Sequence, residues 1–306
     1  MKSLRVGVIG AGRVGAVLAA RLRDAGHEIV AVSGRSPASR TRIDTLVPGA
    51  ELLPPAEVAA RADVLLLAVP DDSLPALVAE LALDGHLRRG QVVAHTSGRH
   101  GLGVLAAAAH VGARPLALHP AMTFTGTDVD LDRLSGCVFG LTAGEDERDI
   151  AEALVADLGG RPMWIRDEDR TTYHAALAHG ANHLVTLVSQ AMQILRRAGA
   201  DDPAAVLRPL LTAALENALV YEDAALTGPV VRGDVETVRA HLAAMEAQPV
   251  PTMDAYVAMA RATSAHAVAD GRLEPRDAVE IRRVLRESEW DVLARMVADE
   301  GTRTRA

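Results

Sequence analysis

The sequence predicts an α/β fold in which a doubly wound parallel sheet is followed by an all-α C-terminal half. Three observations predict it. Short apolar runs alternate with helical segments through the first half of the chain. The first of these runs ends in a glycine-rich turn that opens a helix. Beyond about Asp167 the strand pattern stops and only helical spacing remains.

The elements follow in order. Residues 4–9 (LRVGVI) read as a buried strand, 13–25 as a helix ending at Gly26, and 28–33 (EIVAVS) as a second strand. Residues 64–69 (VLLLAV), between Asp63 and Pro70, are apolar without interruption, which suits a strand covered on both faces. Further strands are expected at 91–95, 115–119, 137–142 and 161–165, separated by helices at about 54–61, 71–83, 101–110 and 146–158. One long helix is expected over 171–198, with Leu177, Leu184, Val188, Met192 and Leu195 on a shared stripe. Helices at about 203–225, 234–247, 251–270 and 275–298 complete the pattern, and the expected domains are 1–166 and 167–306.

A chain of 306 residues suits two domains. Aromatic residues are 2% of it, so the core is aliphatic and stacking platforms for bases are missing. A net charge of −8 argues against a nucleic-acid partner. No apolar run reaches the roughly 20 residues of a membrane span, and the N-terminus enters a strand pattern without a signal-peptide core, so a cytoplasmic protein is expected. Cys137 is the only cysteine and reads as a small buried hydrophobe, and Lys2 is the only lysine, so no lysine stands elsewhere as a catalytic candidate.

Gly10-Ala11-Gly12-Arg13-Val14-Gly15 matches the dinucleotide-binding fingerprint in its required strand–turn–helix setting. The first glycine permits the turn, the second lets backbone approach a pyrophosphate, and the third lets helix and strand pack closely. The helix N-terminus then meets the phosphates. At the end of the second strand stand Ser33, Gly34, Arg35 and Ser36, followed by Arg40 and Arg42, with no carboxylate to hold an NAD ribose. Arg35 and the two serine hydroxyls suit a 2′-phosphate, so NADP(H) is the expected cofactor.

Ligands of open α/β sheets sit outside the carboxyl ends of the strands. Val69 and Pro70 end one strand, Ser97 follows another, and His119 ends a third. His119 reads either as a proton donor beside a nicotinamide or as a structural histidine. In the helical half, His174 and Asn182 share a face that could close over the cleft, His174 as the alternative to His119 for supplying the proton and Asn182 able to bond a substrate oxygen. His179 and His183 have metal-pair spacing, yet no third ligand stands near them and no metal is expected. Arg232, in the loop from Thr227-Gly228-Pro229 to Asp234, reads as a carboxylate clamp or as an interhelix or dimer contact.

Taken together, Gly10 to Gly15, His95-Thr96-Ser97-Gly98, His119-Pro120 with Phe124, Tyr173-His174 with Asn182, and the Thr227 to Asp234 loop resemble one family over nearly the whole chain. Its members join a Rossmann-like domain to the helical domain DUF2520, and its wider relatives are 6-phosphogluconate dehydrogenase-like enzymes, pyrroline-5-carboxylate reductase and ketopantoate reductases. The resemblance implies dimerisation through the helical domain. It also implies an NADPH-dependent reductase of a small 2-oxo acid, with ketopantoate the first candidate. Reduction of an imine and a non-enzymatic NADP(H)-sensing role are the alternatives. In one respect the chain departs from the hydroxyacid dehydrogenase branch: that branch places a lysine four residues before the asparagine, and here the residue before Asn182 at that spacing is Ala178.

Overall fold

The computed structural model describes residues 3–287. Residues 1–180 and 181–306 form separate compact units.

The first unit is built on a seven-stranded sheet: β1 (Arg5–Ile9), β2 (Glu28–Ser33), β3 (Val64–Leu67), β4 (Val92–His95), β5 (Arg114–Pro120), β6 (Val138–Ala143) and β7 (Arg161–Trp164). Their spatial order is β2-β1-β3-β4-β5-β6-β7. Side chains of one strand alternate between faces, so the uninterrupted apolar runs feed two cores. Val64 and Leu66 of β3 join Val6 and Val8 on one side, while Leu65 and Leu67 join Ile9 and Val93 on the other. Helices α1 (Arg13–Asp24), α2 (Pro37–Leu46), α3 (Pro55–Arg61), α4 (Leu74–Leu83), α5 (Ala106–His110), α6 (Val129–Arg133) and α7 (Arg148–Asp157) connect the strands. Chain order reverses direction on either side of β1, which places a crevice beyond the carboxyl ends of β1 and β3.

Three features differ from expectation. Strand β6 runs antiparallel to β5, pairing His119 with Gly140, because the short helix α6 turns the chain back instead of carrying it across the sheet. Helix α2 was not expected at all. Finally, the single helix expected over 171–198 is interrupted: α8 (Arg170–Leu177) passes into a π-turn at Ala178–Asn182 before α9 (His183–Arg197). Gly180 lies in that turn, where its poor helix propensity makes the departure from α-geometry inexpensive.

No strand follows Trp164 among the described residues. The second unit continues with α10 (Pro203–Tyr221), α11 (Val235–Met245), α12 (Val250–Ala269) and a helix over 275–287, and the rest of the helix expected at 275–298 lies outside the described residues. Its core is Val238, Leu242, Met253, Val257, Ile281 and Leu285. By contrast α9 buries no residue. No helix among the described residues is long and apolar enough to cross a membrane.

Candidate functional site

At the end of β1 the chain makes the fingerprint turn. The Gly10 and Ala11 amides donate to the Ser33 carbonyl at 3.0 and 2.9 Å, tying the turn to the end of β2. Gly10 has φ +106°, and a Cβ there would lie 2.3 Å from the Ala68 carbonyl oxygen. A Cβ on Gly15 would lie 2.0 Å from the Gly10 oxygen, which is the close helix–strand packing the third glycine permits. Gly12, at the N-cap of α1, faces open space. Beside it is a cleft of about 500 Å³ lined by Gly10, Gly12, Ser33, Arg35, Val69 and Pro70, among others. Backbone free of side-chain obstruction at a helix N-terminus fits a pyrophosphate, and Arg13 and Val14 form the first turn of that helix.

The residues after β2 give the cleft its charge. Ser36 caps α2: its Oγ accepts the Ser39 amide at 3.1 Å and lies 2.9 Å from the Ser39 hydroxyl. One of the two hydroxyl protons bridges the oxygens and the other is left to donate outward. Arg35 is exposed and lines this cleft and its continuation past Arg40 and Leu53. Arg42 instead braces the turn, donating to the Ala11 carbonyl at 3.3 Å. Ser39 went unnoticed in the sequence because α2 did; the Ser36-Pro37 pair, a cap followed by proline at the first helical position, was its signal.

Beyond the ends of β4 and β5 lies a second cluster. His95 is fully buried; its Nδ1 accepts the Ser97 amide, so Nε2 carries the proton and donates to the Gly101 carbonyl at 3.1 Å. The Ser97 hydroxyl accepts the His100 amide at 3.2 Å and keeps its own proton to donate. His119 Nδ1 lies 2.9 Å from the Tyr173 hydroxyl, and the His174 ring stands edge-on to His119 at 6.2 Å between centroids. Gly98 makes room for both histidines: a Cβ there would sit 2.6 Å from His174 and 3.0 Å from His119 Nε2. Ser97, His119 and His174 are thus brought together. Asn182 and Arg232 belong to the second unit, and both are exposed there. Tyr173 stood in a motif without a role, and only the fold reveals it as the partner of a histidine 54 residues away in sequence.

Burial is the main reason His119 is pushed down to about 4, and the Arg170 charge adds to it. His95 is lowered to about 4, again chiefly by burial. Tyr173 is pushed up to about 12 by burial, against a lowering influence from Arg170. Near neutral pH the pair is therefore an uncharged imidazole bonded to an uncharged phenol. Asp71 opposes the lowering at both histidines, and it pairs with Arg99 at 3.3 Å, as does Asp72. Among the described residues no three metal-ligating side chains cluster.

These pKa values have a consequence for stability. The folded chain refuses protons that the unfolded chain accepts between pH 6.5 and about 4. Stability should be complete above about pH 6.5 and fall as pH drops through that window, by about 3 kcal/mol from His95 alone. His95→Gln should flatten the decline in melting temperature measured from pH 7 to pH 4, and an equally steep decline in the variant would contradict this assignment.

Residues 1–120 match the Rossmann-like domain family, and residues 137–263 match the domain of unknown function DUF2520. The chain therefore belongs to the two-domain family that joins them. Among solved structures, a protein from Bacteroides fragilis assigned as an NADP oxidoreductase is similar at 23% identity and a TM-score of 0.74, over 86% of this chain and 98% of that one. A protein from Thermotoga maritima is similar at 20% identity and a TM-score of 0.63, over 87% and 99%. An imine reductase from a Pseudomonas species is similar at 18% identity and a TM-score of 0.63, over 85% and 93%.

Proposed function

We propose that the protein is an NADPH-dependent oxidoreductase that reduces a carbon–nitrogen double bond. NADPH, when bound, supplies the hydride. Gly10 to Gly15 hold the pyrophosphate, Arg35, Ser36, Ser39 and Arg40 hold the 2′-phosphate, and Val69 and Pro70 bound the nicotinamide side of the cleft. The family assignment and the similar solved structures, which include imine reductases and pyrroline carboxylate reductases, support the reading.

One observation carries the choice of substrate. The carboxylate acting on His119 is the half-buried Asp71, which is already paired with Arg99, as is Asp72, and the guanidinium acting on His119 is Arg170, which is sealed from solvent. Such surroundings leave the carboxylate of a 2-oxo acid without a free guanidinium beside His119 among the described residues. The buried charge of Arg170 that lowers His119 also disfavours a substrate arriving as a cation, so the imine is met in its neutral form. His119 and Tyr173 hold a proton at Nε2 or Oη for the nitrogen of a neutral imine, to be given up only as hydride transfer builds negative charge on that nitrogen. The second reading, reduction of ketopantoate, is favoured by that same pair. A phenol near 12 is too weak to protonate a resting imine but acidic enough to meet a developing alkoxide.

The test is NADPH oxidation followed with 2-methyl-1-pyrroline and with ketopantoate. Turnover of the imine alone supports the first reading, and turnover of ketopantoate alone replaces it with the second. Tight NADPH binding without turnover of either would favour a nucleotide sensor. Arg35→Ala should lower the preference for NADPH over NADH by about 10- to 100-fold, as expected for a lost charge-assisted phosphate contact, with NADH affinity unchanged in the same fluorescence titration.

We also propose that the helical unit forms a homodimer. Leu184, Val185 and Leu187 of α9 and Leu210, Leu215 and Leu219 of α10 are all exposed, Leu219 to 78%. Exposed large apolar side chains concentrated on two successive helices are characteristic of an interface. Sedimentation should show a dimer and Leu215→Glu should shift it towards monomer; a monomeric native protein would reject the interface.

A further inference from the structure

Arg170 opens α8 and is completely buried, yet no carboxylate pairs with it among the described residues. Its Nη2 donates to the Ser97 carbonyl at 2.8 Å, and its Nη1 donates to the Thr142 hydroxyl at 3.0 Å and the Gly140 carbonyl at 3.4 Å, while Nε has no partner. All three acceptors are neutral. A desolvated guanidinium with only neutral partners is costly, and a neutral donor would serve the same acceptors.

The surroundings show where its charge is used. Ser97 leads into Gly98, where an added Cβ would press on both His119 Nε2 and His174. Gly140 lies opposite His119 across the β5–β6 pair, and a Cβ on it would be 2.8 Å from the Tyr173 hydroxyl. Arg170 therefore holds both walls of the His119–Tyr173 pair and sits one helical turn before Tyr173.

We propose that Arg170 is a positioning residue for this pair: it pins Ser97 and Gly140 on two sides of His119, and its unpaired charge offsets the negative charge left on the Tyr173 oxygen when the pair gives up a proton. In that transfer the His119 Nε2–H bond breaks as the proton passes to the substrate atom. The Tyr173 O–H bond breaks as its proton moves to Nδ1, leaving a tyrosinate, and the pair resets when solvent returns a proton to Nε2 and the Nδ1 proton goes back to Oη. The transfer rests on the reductase reading, but the electrostatic role can be measured without substrate or cofactor.

The charged and titratable groups facing His119 are Arg170, Tyr173 and His174 from α8, Asp71 from the turn after β3, and His95 from β4. The experiment is an NMR titration of His119 in the intact native protein, Arg170→Gln and Arg170→Lys, with kcat and KM measured wherever a substrate turns over. The native midpoint is expected near 4. Arg170→Gln should raise it by about one pH unit, a tenfold gain in proton affinity, and lower kcat about tenfold at unchanged KM for NADPH. Arg170→Lys should keep the low midpoint and recover most of the lost rate.

A midpoint unmoved by Arg170→Gln, or a native midpoint near 6.5, would overturn the proposal. If Arg170→Gln does not fold, Arg170→Lys decides, because a raised midpoint despite a retained charge also overturns it. Failure to find any substrate would count against the reductase reading and leave the titration result standing.

Discussion

His119→Ala should lower kcat by about 10²- to 10⁴-fold, the range expected when a positioned proton-transfer group is lost. NADPH affinity should stay nearly unchanged, because the imidazole lies at the end of β5 while the dinucleotide cleft is lined from the ends of β1, β2 and β3. Tyr173→Phe removes the hydroxyl that reaches His119 Nδ1 and should lose a similar amount. The two losses should not add, since the residues act as one unit. Stopped-flow measurement of the hydride step in both single variants and the double variant checks this. A double variant that loses the product of the single effects would separate the residues, and an unchanged rate in either single variant would remove it from the mechanism. Because His119 is neutral above about pH 4, the native rate should be nearly flat from pH 6 to 8.

The second large effect contrasts two glycines of one turn. At Gly12 a Cβ would meet nothing within 4 Å, so Gly12→Asp should fold normally. Its carboxylate would then stand where the phosphates approach the α1 N-terminus, and NADPH binding should weaken by about 100-fold or more, roughly 2.7 kcal/mol. Gly10→Ala should do the reverse and act on the fold. Its Cβ would press on the Ala68 carbonyl at 2.3 Å with φ held at +106°, so a stability loss of about 2–4 kcal/mol is expected. Thermal unfolding and NADPH titration of both variants separate the effects. Normal NADPH affinity in Gly12→Asp would remove the phosphates from this turn.

Much of this organisation was legible in the sequence because it is local. The VLLLAV run feeds both sheet faces, the glycine turn lies between strand and helix, and strands cease after Trp164. What escaped notice had other causes. Helix α2 buries only Ile43 and Leu46, so its apolar spacing gave no periodic signal. A buried strand reads alike in either direction, which hid the antiparallel pairing of β6 with β5. The π-turn follows from backbone geometry around Gly180 that apolar spacing does not record. Arg170 is one arginine among many by sequence, and its burial is a property of tertiary packing that no neighbouring residue announces.

The room left by Gly98 bears on how relatives of this protein can diverge. Two imidazoles fill the volume that even a methyl group there would need. Position 98 and the pair His119 and His174 should therefore drift together. A lineage that acquires a side chain at the glycine must first have shed one of the rings, and a lineage that keeps both is confined to glycine there.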